Sequence, residues 1–436
     1  MYFRSTKSKS PVVSFKDAVL NCLPYDGGLY VPDQAVDFRQ FFLHMDEKTE
    51  FNELVAAVAP SFFEGSLNPV SASRIASSAF DFQPELIRLD NDFSLLNLYN
   101  GPTGVFKDFG IAFMSAVFEE FLEENEQAMV LSAAGPDTGV SMAHAFSGRK
   151  GILLVLVYPS GQIHGLDPSC FVQNGGNIIP VQVNGTLDDC QRLIIDTIID
   201  RKFSGRYKVT SANSMNIGRV FPQILYFLYA FTQIKNTLNG DFIFSVPSGN
   251  FGSLIAGLYA WKFGMPVNGF IAAMNYNNSM GDYICGKPFV PSPNKITNSP
   301  SLDISFPLNY ERLASFYEEA PSVMRNMVYP ASIDDLLTLE TIEEVYKNHG
   351  IFIDPHTAVA YAAAKKIIAQ HEWNDNTHTI ILATGHPARS AGIIEKVTGG
   401  IVDIPASLSA LKKKCEPIAV IPPQLDAFEG AIASCF

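Results

Sequence analysis

The chain has 436 residues, 47% of them hydrophobic and 17% charged, which is enough apolar sequence to bury a large core in two or three domains. Its net charge of −13 argues against nucleic acid and anionic membranes as partners, but leaves a small anionic substrate open. Six scattered cysteines without a CxxC pair, and a start without an apolar signal segment, indicate a cytoplasmic protein that binds no metal.

The pattern of the first 95 residues predicts helices and a turn, but it indicates no catalytic or binding residues. A helix is expected from Ser14, and further helical patterns lie near Asp37 to Met45 and Glu50 to Phe62. A turn at Asp26-Gly27-Gly28 leads into the short extended stretch LYVP. We interpret residues 1–95 as an N-terminal segment that packs on a larger domain.

The stretch from Asn100 to Gly110, NGPTGVFKDFG, carries the strongest chemical signal. Turn-forming residues lead to Lys107, which stands between two phenylalanines just before an apolar run with helical periodicity that starts at Ile111. Desolvation by the rings and the positive end of the helix dipole both disfavour an ammonium group, and a Schiff-base enzyme requires a neutral amine. The alternative is a surface lysine beside Asp108.

From Ala128 onward, apolar strands alternate with helical patterns, which is typical of α/β proteins with open, mostly parallel sheets flanked by helices. The loop Gly135-Pro136-Asp137-Thr138 lies where one such strand meets a helix, a position at which these folds bind anions. The next strand, Ile152 to Tyr158, is followed by a helix predicted around residues 164–173. Many loops of this kind bind nothing, so the sequence leaves the role of this one open.

Two further loops place polar residues before a helix. The first offers amide, hydroxyl and guanidinium donors that suit a phosphate or a carboxylate, from Asn213, Ser214, Asn216 and Arg219. Helix capping explains Asn213 or Ser214 equally well. The second, Ser248 to Gly252, can hold a phosphate with successive backbone N–H groups. It lacks the lysine of a Walker motif, which argues against a nucleoside triphosphate.

The remaining sequence adds one insertion and two candidate strand or helix ends. Residues 276–312 are loop-rich and long enough to form a lid over a site. Asp354 to Thr357 precede an alanine-rich helix, and Thr384 ends a buried strand. We interpret His386 as a structural residue or a positioning donor. Residues 402–436 carry no functional signal, and the lysine run 412–414 indicates a solvated helix end.

Seven stretches, in the expected order and over nearly the whole chain, resemble threonine synthase of the longer type. They are SFKDAVLNCLPYDGGLYVP, GPTGVFKDFG, NSMNIGRVFPQI, VPSGNFGSLIAG, SPSLDISFPLNYERL, DPHTAVAYAA and LATGHPAR. The resemblance implies the fold of the pyridoxal-phosphate enzymes related to the tryptophan synthase β-subunit. It also implies a large cofactor-binding domain, 96–127 and 205–436 with an insertion near 276–330, and a smaller mobile domain, 128–204.

The resemblance implies a role for each candidate residue. Lys107 would bind pyridoxal 5′-phosphate as a Schiff base and carry out most proton transfers, and Thr384 would hydrogen-bond the pyridine nitrogen. Asp137 and Thr138 would meet the amino-acid end of the substrate. The cofactor phosphate would be held by Gly249, Asn250, Phe251 and Gly252. The substrate phosphate or the cofactor 3′-oxygen, which the sequence does not separate, would be bound by Asn213, Ser214, Asn216 and Arg219.

The implied activity is the conversion of O-phospho-L-homoserine and water to L-threonine and phosphate, in a monomer or homodimer. Two departures from the family pattern leave alternatives open. The loop TSGDTG reads AAGPDTG here, with Pro136 inserted, and the motif HPAKF reads HPARS, with Arg389 in place of a lysine. One alternative is a lyase that eliminates phosphate and releases 2-oxobutyrate and ammonia. The other is a non-catalytic binding protein, against which the retained Lys107 argues.

Overall fold

The computed structural model describes residues 1–63, 66–161, 172–371, 373, 376–410 and 415–435. The helix predicted around residues 164–173 lies outside the described residues except for its last two positions, and the lysine run 412–414 lies wholly outside them. Within the described ranges, no helix is both long enough and apolar enough to cross a membrane.

The strands, in chain order, are β1 (Tyr2–Ser5), β2 (Val13–Ser14), β3 (Tyr30–Pro32), β4 (Glu85–Arg88), β5 (Phe93–Asn97), β6 (Ala128–Ala133), β7 (Ile152–Pro159), β8 (Ile178–Val183), β9 (Val209–Ser211), β10 (Phe242–Pro247), β11 (Gly269–Met274), β12 (Val328–Ser332), β13 (His378–Ala383) and β14 (Ala419–Ile421).

The helices are α1 (Phe15–Asn21), α2 (Arg39–His44), α3 (Phe51–Phe62), α4 (Pro69–Ala79), α5 (Lys107–Phe121), α6 (Pro136–Phe146), α7 (Leu187–Ile199), α8 (Arg201–Tyr207), α9 (Ile217–Val220), α10 (Ile224–Ile234), α11 (Gly252–Lys262), α12 (Ser279–Ile284), α13 (Tyr310–Glu319), α14 (Pro321–Arg325), α15 (Asp335–His349), α16 (Pro355–Gln370), α17 (Ala391–Thr398), α18 (Ala406–Ala410) and α19 (Leu425–Ala433). Short 3₁₀ helices cover Phe221–Gln223, Pro300–Leu302 and Pro387–Ser390.

The larger sheet has six strands in the order β12-β11-β10-β13-β5-β4. Every neighbouring pair is parallel except β4 and β5 at one edge. Successive residues of β10 face opposite layers: Ile243 packs with the alanines of α16, and Phe244 packs against Phe227 of α10. The sheet is therefore covered on both faces, which confirms the predicted α/β class.

The smaller sheet has five parallel strands in the order β14-β8-β7-β6-β9. The range predicted for the smaller domain, 128–204, holds only β6, β7 and β8. Strand β9 follows that range, and β14 comes from the C-terminal region that carried no signal in the sequence. Short strands of three residues give too little periodicity to be recognised, so the sheet extends beyond the predicted boundaries at both edges.

The N-terminal segment forms a small antiparallel sheet, β2-β1-β3, and helices α1 to α4. Ser14 caps α1 by accepting the N–H of Asp17, and α3 begins after a capping box formed by Glu50 and Glu53. These ends agree with the predicted helices. The helix α4 was not predicted, and strands β4 and β5, which lie in or at the end of the 1–95 range, belong to the larger sheet.

Helix α5 is fixed by an aromatic cluster around Phe109 in its first turn. The ring of Phe109 lies 4.9 Å from Phe82, 5.6 Å from Phe51, and 5.9 Å from both Phe80 and Tyr226, measured between ring centroids. Edge-to-face pairs of this kind stabilise a fixed arrangement beyond the area that they bury. The cluster therefore holds the start of α5, where Lys107 lies, against the N-terminal segment and α10.

Candidate active site

Three loops meet at one edge of the larger sheet. Strands β10, β13 and β5 are adjacent and parallel, so the loops that follow them leave the sheet on the same side. These loops are Ser248 to Gly252, the segment around Thr384, and the lysine stretch. The N–H of Phe106 donates to the carbonyl oxygen of Thr384 at 2.9 Å, which joins two of the loops directly. The structure thus brings together three stretches that are up to 278 positions apart (106 and 384).

Lys107 is the first residue of α5, four residues before the start expected at Ile111. Its Nζ lies 2.9 Å from Oδ2 of Asp137, and its side chain is 18% exposed. The sequence predicted a lysine shielded by aromatic rings, and it did not predict this salt bridge. The bridge joins the larger sheet to the first turn of α6, which follows β6 of the smaller sheet.

Asp137 is held by three donors that come from different parts of the chain. Arg389 Nη2 contacts its Oδ1 at 2.5 Å, while Lys107 Nζ and Ser301 Oγ contact its Oδ2 at 2.9 and 2.8 Å. Burial alone would raise the pKa of Asp137, but the charges of Lys107 and Arg389 outweigh it and hold that pKa well below its usual range. Asp137 is therefore ionised, and two cations face one carboxylate.

The loop Ser248 to Gly252 has the geometry of a phosphate site. A Cβ on Gly249 would lie 2.7 Å from the carbonyl oxygen of Ser301, so no other residue fits there without movement. Phe251, at φ 61° and ψ 5°, takes a left-handed conformation that is uncommon for a residue with a side chain. The N–H groups of residues 249–251 donate to no other group in the described parts of the chain, and the first N–H groups of α11 have no partner within that helix.

Of the four polar residues predicted before a helix, Asn213, Ser214 and Asn216 precede α9 and Arg219 lies within it. Asn213 and Asn216 are committed to the protein itself. Asn213 pairs with the backbone of Ala133 through both its amide oxygen and its amide nitrogen, at 2.8 and 3.2 Å. Asn216 is fully buried, caps α9, and donates to the carbonyl oxygen of Val19 at 2.8 Å. The contacts of Asn213 and Asn216 are therefore those of residues that cap a helix and hold a loop in place.

Arg219 and Ser214 keep donors that the protein does not use. Arg219 is buried, its Nε has no hydrogen-bond partner among the described residues, and burial lowers the pKa of its guanidinium to about 9. It lies against Gly110 of α5, where a Cβ would come within 2.6 Å of the Arg219 carbonyl oxygen. Ser214 is partly exposed, and among the described residues only its carbonyl oxygen is engaged, by Arg312. A buried cation with an unpaired N–H against helix α5 suits an anionic ligand.

The end of β13 carries the remaining predicted residue and its neighbours. Thr384 is buried directly after the strand. His386 Nδ1 accepts the N–H of Ala388 at 3.1 Å, so this histidine caps the short 3₁₀ helix that begins at Pro387. Burial, with Arg389 nearby, lowers the pKa of His386. The structure therefore supports the structural role that the sequence suggested for it.

Sequence reasoning gave no role to several residues that build this site. Ser301 and Arg389 hold Asp137, and the N–H of Ser301 donates to His356 Nε2 at 3.1 Å. His356 in turn contacts Asp354 through Nδ1 at 2.5 Å, so its imidazole links Ser301 to that carboxylate. All of these residues lie in stretches that were used only to recognise the family. Their positions within those motifs were the available signal.

The residues present fit pyridoxal phosphate. A glycine-dependent loop with free N–H groups at a helix start suits its phosphate, and Lys107 and Thr384 lie on the two loops beside it. A family model described as pyridoxal-phosphate dependent enzyme matches residues 87–385. Models described as threonine synthase N terminus and as threonine synthase, C-terminal, match residues 2–80 and 357–432. The fold and the site are those of a pyridoxal-phosphate-dependent enzyme.

Comparison with individual proteins shows to which family within this class the chain belongs. The chain is 32% identical to the threonine synthase of Escherichia coli K12 over 409 residues, which cover 94% of each protein. It matches the crystal structure of the Escherichia coli threonine synthase with a TM-score of 0.90 at 30% identity, covering 100% of both chains. The PLP-bound threonine synthase from Brucella melitensis matches with a TM-score of 0.86 at 26% identity, covering 100% and 99%. The chain belongs to the threonine synthase family.

Proposed function

We propose that this protein converts O-phospho-L-homoserine and water to L-threonine and phosphate. The observation that supports it best is the convergence of Lys107, the Ser248 to Gly252 loop and Thr384 at one edge of the larger sheet. These are the groups that a pyridoxal-phosphate enzyme of this family uses. Membership of the threonine synthase family, over nearly the full length of the chain, supports the same reaction.

We assign the cofactor contacts as follows. Gly249, Asn250, Phe251 and Gly252 would hold the phosphate at the start of α11, and Thr384 would hydrogen-bond the pyridine nitrogen. Lys107 would hold the cofactor through Nζ. When bound, pyridoxal phosphate stabilises the negative charge that develops on the substrate when a proton leaves its carbon. Asn250 is positioned for its role because its Oδ1 accepts the N–H of Leu308 and its carbonyl oxygen accepts from Asn309.

The proton transfers fall to Lys107. Its Nζ stands on the first turn of a helix that an aromatic cluster fixes, so it can take a proton from the substrate and return one without moving the backbone. Asp137 accepts a hydrogen bond from the Lys107 ammonium, and the same carboxylate can accept one from the substrate ammonium. We assign Asp137 and Thr138 to the amino-acid end of the substrate for this reason. Arg219 and Ser214 supply donors for an anionic oxygen of the substrate or the cofactor.

A direct assay tests this function. The purified protein with pyridoxal phosphate is incubated with O-phospho-L-homoserine, and phosphate, threonine and 2-oxobutyrate are measured together. We expect threonine and phosphate in equal amounts, and loss of both in Lys107→Ala. Lys48→Ala, at an exposed lysine between α2 and α3, serves as the control. Phosphate with 2-oxobutyrate and no threonine would contradict the proposal.

Pro136 favours a competing function, in which the enzyme releases phosphate and 2-oxobutyrate and forms no threonine. It occupies the first position of α6, where the helix itself does not need an N–H, but a substrate carboxylate bound at this helix start would lose one donor. A substrate held less firmly can be released after phosphate has left. A cytoplasmic location, a monomeric or homodimeric state, and closure of the smaller domain over the substrate remain predictions from the sequence.

A further inference from the structure

Two neighbouring residues at the start of α5 contact the same face of α6. Lys107 Nζ lies 2.9 Å from Oδ2 of Asp137, and Oδ1 of Asp108 accepts a hydrogen bond from the hydroxyl of Ser141. Asp137 and Ser141 are four positions apart, so they lie one above the other on one face of their helix. Of the two contacts, the second does not involve the cofactor, to which Lys107 would be joined in the loaded enzyme. The pair Asp108 and Ser141 can therefore hold α6 against α5 whichever group Lys107 is bonded to.

Asp108 is held in one position by the loop that precedes α5. It is 2% exposed, its Oδ2 accepts the N–H of Thr103 at 2.8 Å, and its Oδ1 accepts the Thr103 hydroxyl at 2.6 Å. A Cβ on Gly101 would lie 2.6 Å from Oδ2 of Asp108, so the loop closes directly over the carboxyl group. Burial raises the pKa of Asp108, and the donors from Ser141 and Thr103 lower it. Each donor thus offsets part of the cost of burying this group.

Ser141 is the corresponding point on α6. It is 1% exposed, and its hydroxyl donates to Asp108 on another helix, whereas a serine within a helix commonly donates to a carbonyl oxygen of its own helix. At the far end of α6, Phe146 packs on Phe118 of α5 with ring centroids 6.2 Å apart. Helix α6 is thus attached to α5 by an apolar contact near its end and by the Ser141 hydroxyl nearer its start.

We propose that Asp108 is a positioning residue, which holds the first turn of α6 at a fixed distance from Lys107 through the hydroxyl of Ser141. This inference rests on the proposed function, which assigns Asp137 and Thr138 in that turn to the amino-acid end of the substrate. Asp108 and Ser141 are both buried, so they act on the substrate through the residues that they place.

Ser141→Ala is the cleanest variant, because it removes the contact between the helices and leaves the charge of Asp108 in place. That charge also acts on a second buried group: burial lowers the pKa of Arg219, and the charge of Asp108 raises it. The matched control is Ser115→Ala. Ser115 is a fully buried serine of α5, and its hydroxyl donates to the carbonyl oxygen of Ala112 in the same helix at 2.9 Å. Both substitutions delete one buried hydroxyl, but Ser141→Ala deletes one that joins two helices.

Hydrogen exchange of the enzyme loaded with pyridoxal phosphate tests the position of α6 without turnover. We expect Ser141→Ala to raise the exchange rates of the backbone amides of residues 139–142 roughly fivefold, as for the loss of one hydrogen bond. The amides of α11 and the affinity for the cofactor should stay unchanged, and Ser115→Ala should leave residues 139–142 as they are. Unaltered exchange in Ser141→Ala, or a rise of the same size throughout the chain, would overturn the inference.

Steady-state kinetics with O-phospho-L-homoserine tests the consequence for the substrate. We expect Ser141→Ala to raise KM roughly fivefold and to change kcat by less than about twofold, because Asp137 and Thr138 are assigned to binding and Lys107 to proton transfer. A variant that is merely destabilised would contain less active enzyme, so its kcat would fall at an unchanged KM. That pattern would overturn the inference, and so would an unchanged KM in a variant whose α6 exchanges faster.

Asp108→Asn tests whether the two residues act through one contact. Ser141→Ala should cause a smaller fold-change in exchange and in KM when Asp108 is already asparagine, because a neutral amide is a weaker acceptor than a carboxylate. Equal fold-changes in both backgrounds would mean that the residues act independently, and the inference would fail. An enzyme that forms no threonine but shows the local change in exchange would refute the proposed function and leave the positioning of α6 by Asp108 intact.

Discussion

At the scale of single residues, Gly249 shows how closely the cofactor loop is packed. The backbone of Ser301 and Leu302 approaches it so tightly that a Cβ would lie 2.7 Å from one atom and 3.0 Å from another. We expect Gly249→Ala to weaken pyridoxal-phosphate binding at least tenfold, because the loop must move away from the helix start that donates its N–H groups, and each charge-assisted hydrogen bond that is lost contributes a factor of about this size.

Titration of the cofactor, followed by its visible absorbance, measures this effect, and thermal unfolding of the cofactor-free protein separates it from a general loss of stability. Gly392→Ala is the control. Gly392 lies in α17 with no atom within 4 Å of an added Cβ, so alanine there should be neutral or stabilising by up to about 1 kcal/mol. Unchanged cofactor affinity in Gly249→Ala would contradict the packing argument.

Two histidines should make stability depend on pH. Burial lowers the pKa of both His378 and His386 below 6.5. The unfolded chain therefore takes up protons before the folded one does, so stability is fully present above about pH 6.5 and is lost as the pH falls toward the folded pKa values, by about 1.4 kcal/mol for each pKa unit of difference.

Denaturant unfolding between pH 5 and pH 8 measures this slope. We expect the double variant His378→Asn and His386→Asn to be less stable overall but to show a flatter profile between pH 6.5 and pH 5. An unchanged slope would mean that other groups control it. His44, an exposed histidine at the end of α2, offers the control substitution His44→Asn, which should leave the profile as it is.

The sequence singled out Lys107 and the Ser248 to Gly252 loop as candidates, because each combines a chemical group with a local pattern of turn and helix. It did not predict the roles of Arg389 and Ser301. Arg389 contacts Asp137 from 252 positions away, and Ser301 does so from 164. Such a pairing depends on how two sheets pack together, and no local periodicity reports it.

At the scale of elements, Arg312 on α13 connects strand β3, the loop that carries Ser214, and Asn309. It is fully buried and forms no salt bridge with a carboxylate among the described residues, and burial lowers the pKa of its guanidinium to about 10. It donates to the carbonyl oxygens of Tyr30, Ser214 and Met215, and to Oδ1 of Asn309 at 2.6 Å. Asn309 then donates to the carbonyl oxygen of Asn250 in the cofactor loop. Residues 276–312, which were predicted as a lid, thus contain the two side chains that link the Ser214 loop to the Ser248 to Gly252 loop.

We expect Arg312→Met to lower the free energy of unfolding by about 3 kcal/mol or more, because several buried carbonyl oxygens lose their donor. It should also weaken cofactor binding, since the loops that carry Ser214 and Asn250 lose their common anchor. Arg325→Met, at an exposed arginine on α14, is the control. Equal effects of the two substitutions on unfolding and on cofactor titration would refute the role of Arg312.

Elements with a strong apolar pattern were predicted and weakly patterned ones were not. Strand β7 was recognised from an unbroken apolar run, and helix α3 from apolar residues at helical spacing. Helix α4, PVSASRIASSA, contains four serines and few large apolar side chains, and it forms because Asn68 caps it and because it packs on α3 and α5. Tertiary contacts overrode a weak local preference there.

At the scale of the whole molecule, the C-terminal residues complete the smaller sheet. Strand β14 pairs with β8, and Phe428 and Ile432 of α19 are buried in the apolar cluster beneath β7 and β8. Phe428→Ala should reduce the free energy of unfolding by about 3–5 kcal/mol, as expected for a large side chain removed from a core. Urea unfolding measures this loss. Val420→Ala, at an exposed position of β14, should change stability by less than about 1 kcal/mol.

A C-terminal segment that merely covered the surface would give equal values for the two substitutions. That result would contradict the role assigned to α19. The sequence predicted the class of fold and its parallel sheets from their apolar strands, but it could not place this last strand, because three residues of mixed exposure do not distinguish an edge strand from a loop.

The strand order of the larger sheet constrains how the protein can be made. Strand β13 lies between β10 and β5, yet it is among the last parts of the chain to leave the ribosome. At about 5–20 residues per second, the interval between synthesis of β5 and of β13 is roughly a quarter of a minute to one minute. During that time the sheet lacks a central strand. The loop that carries Lys107 also lacks the Thr384 carbonyl oxygen, which accepts the N–H of Phe106 in the folded protein. A nascent chain therefore cannot capture its cofactor early, and the exposed edges of β5 and β10 are where a chaperone would be needed most.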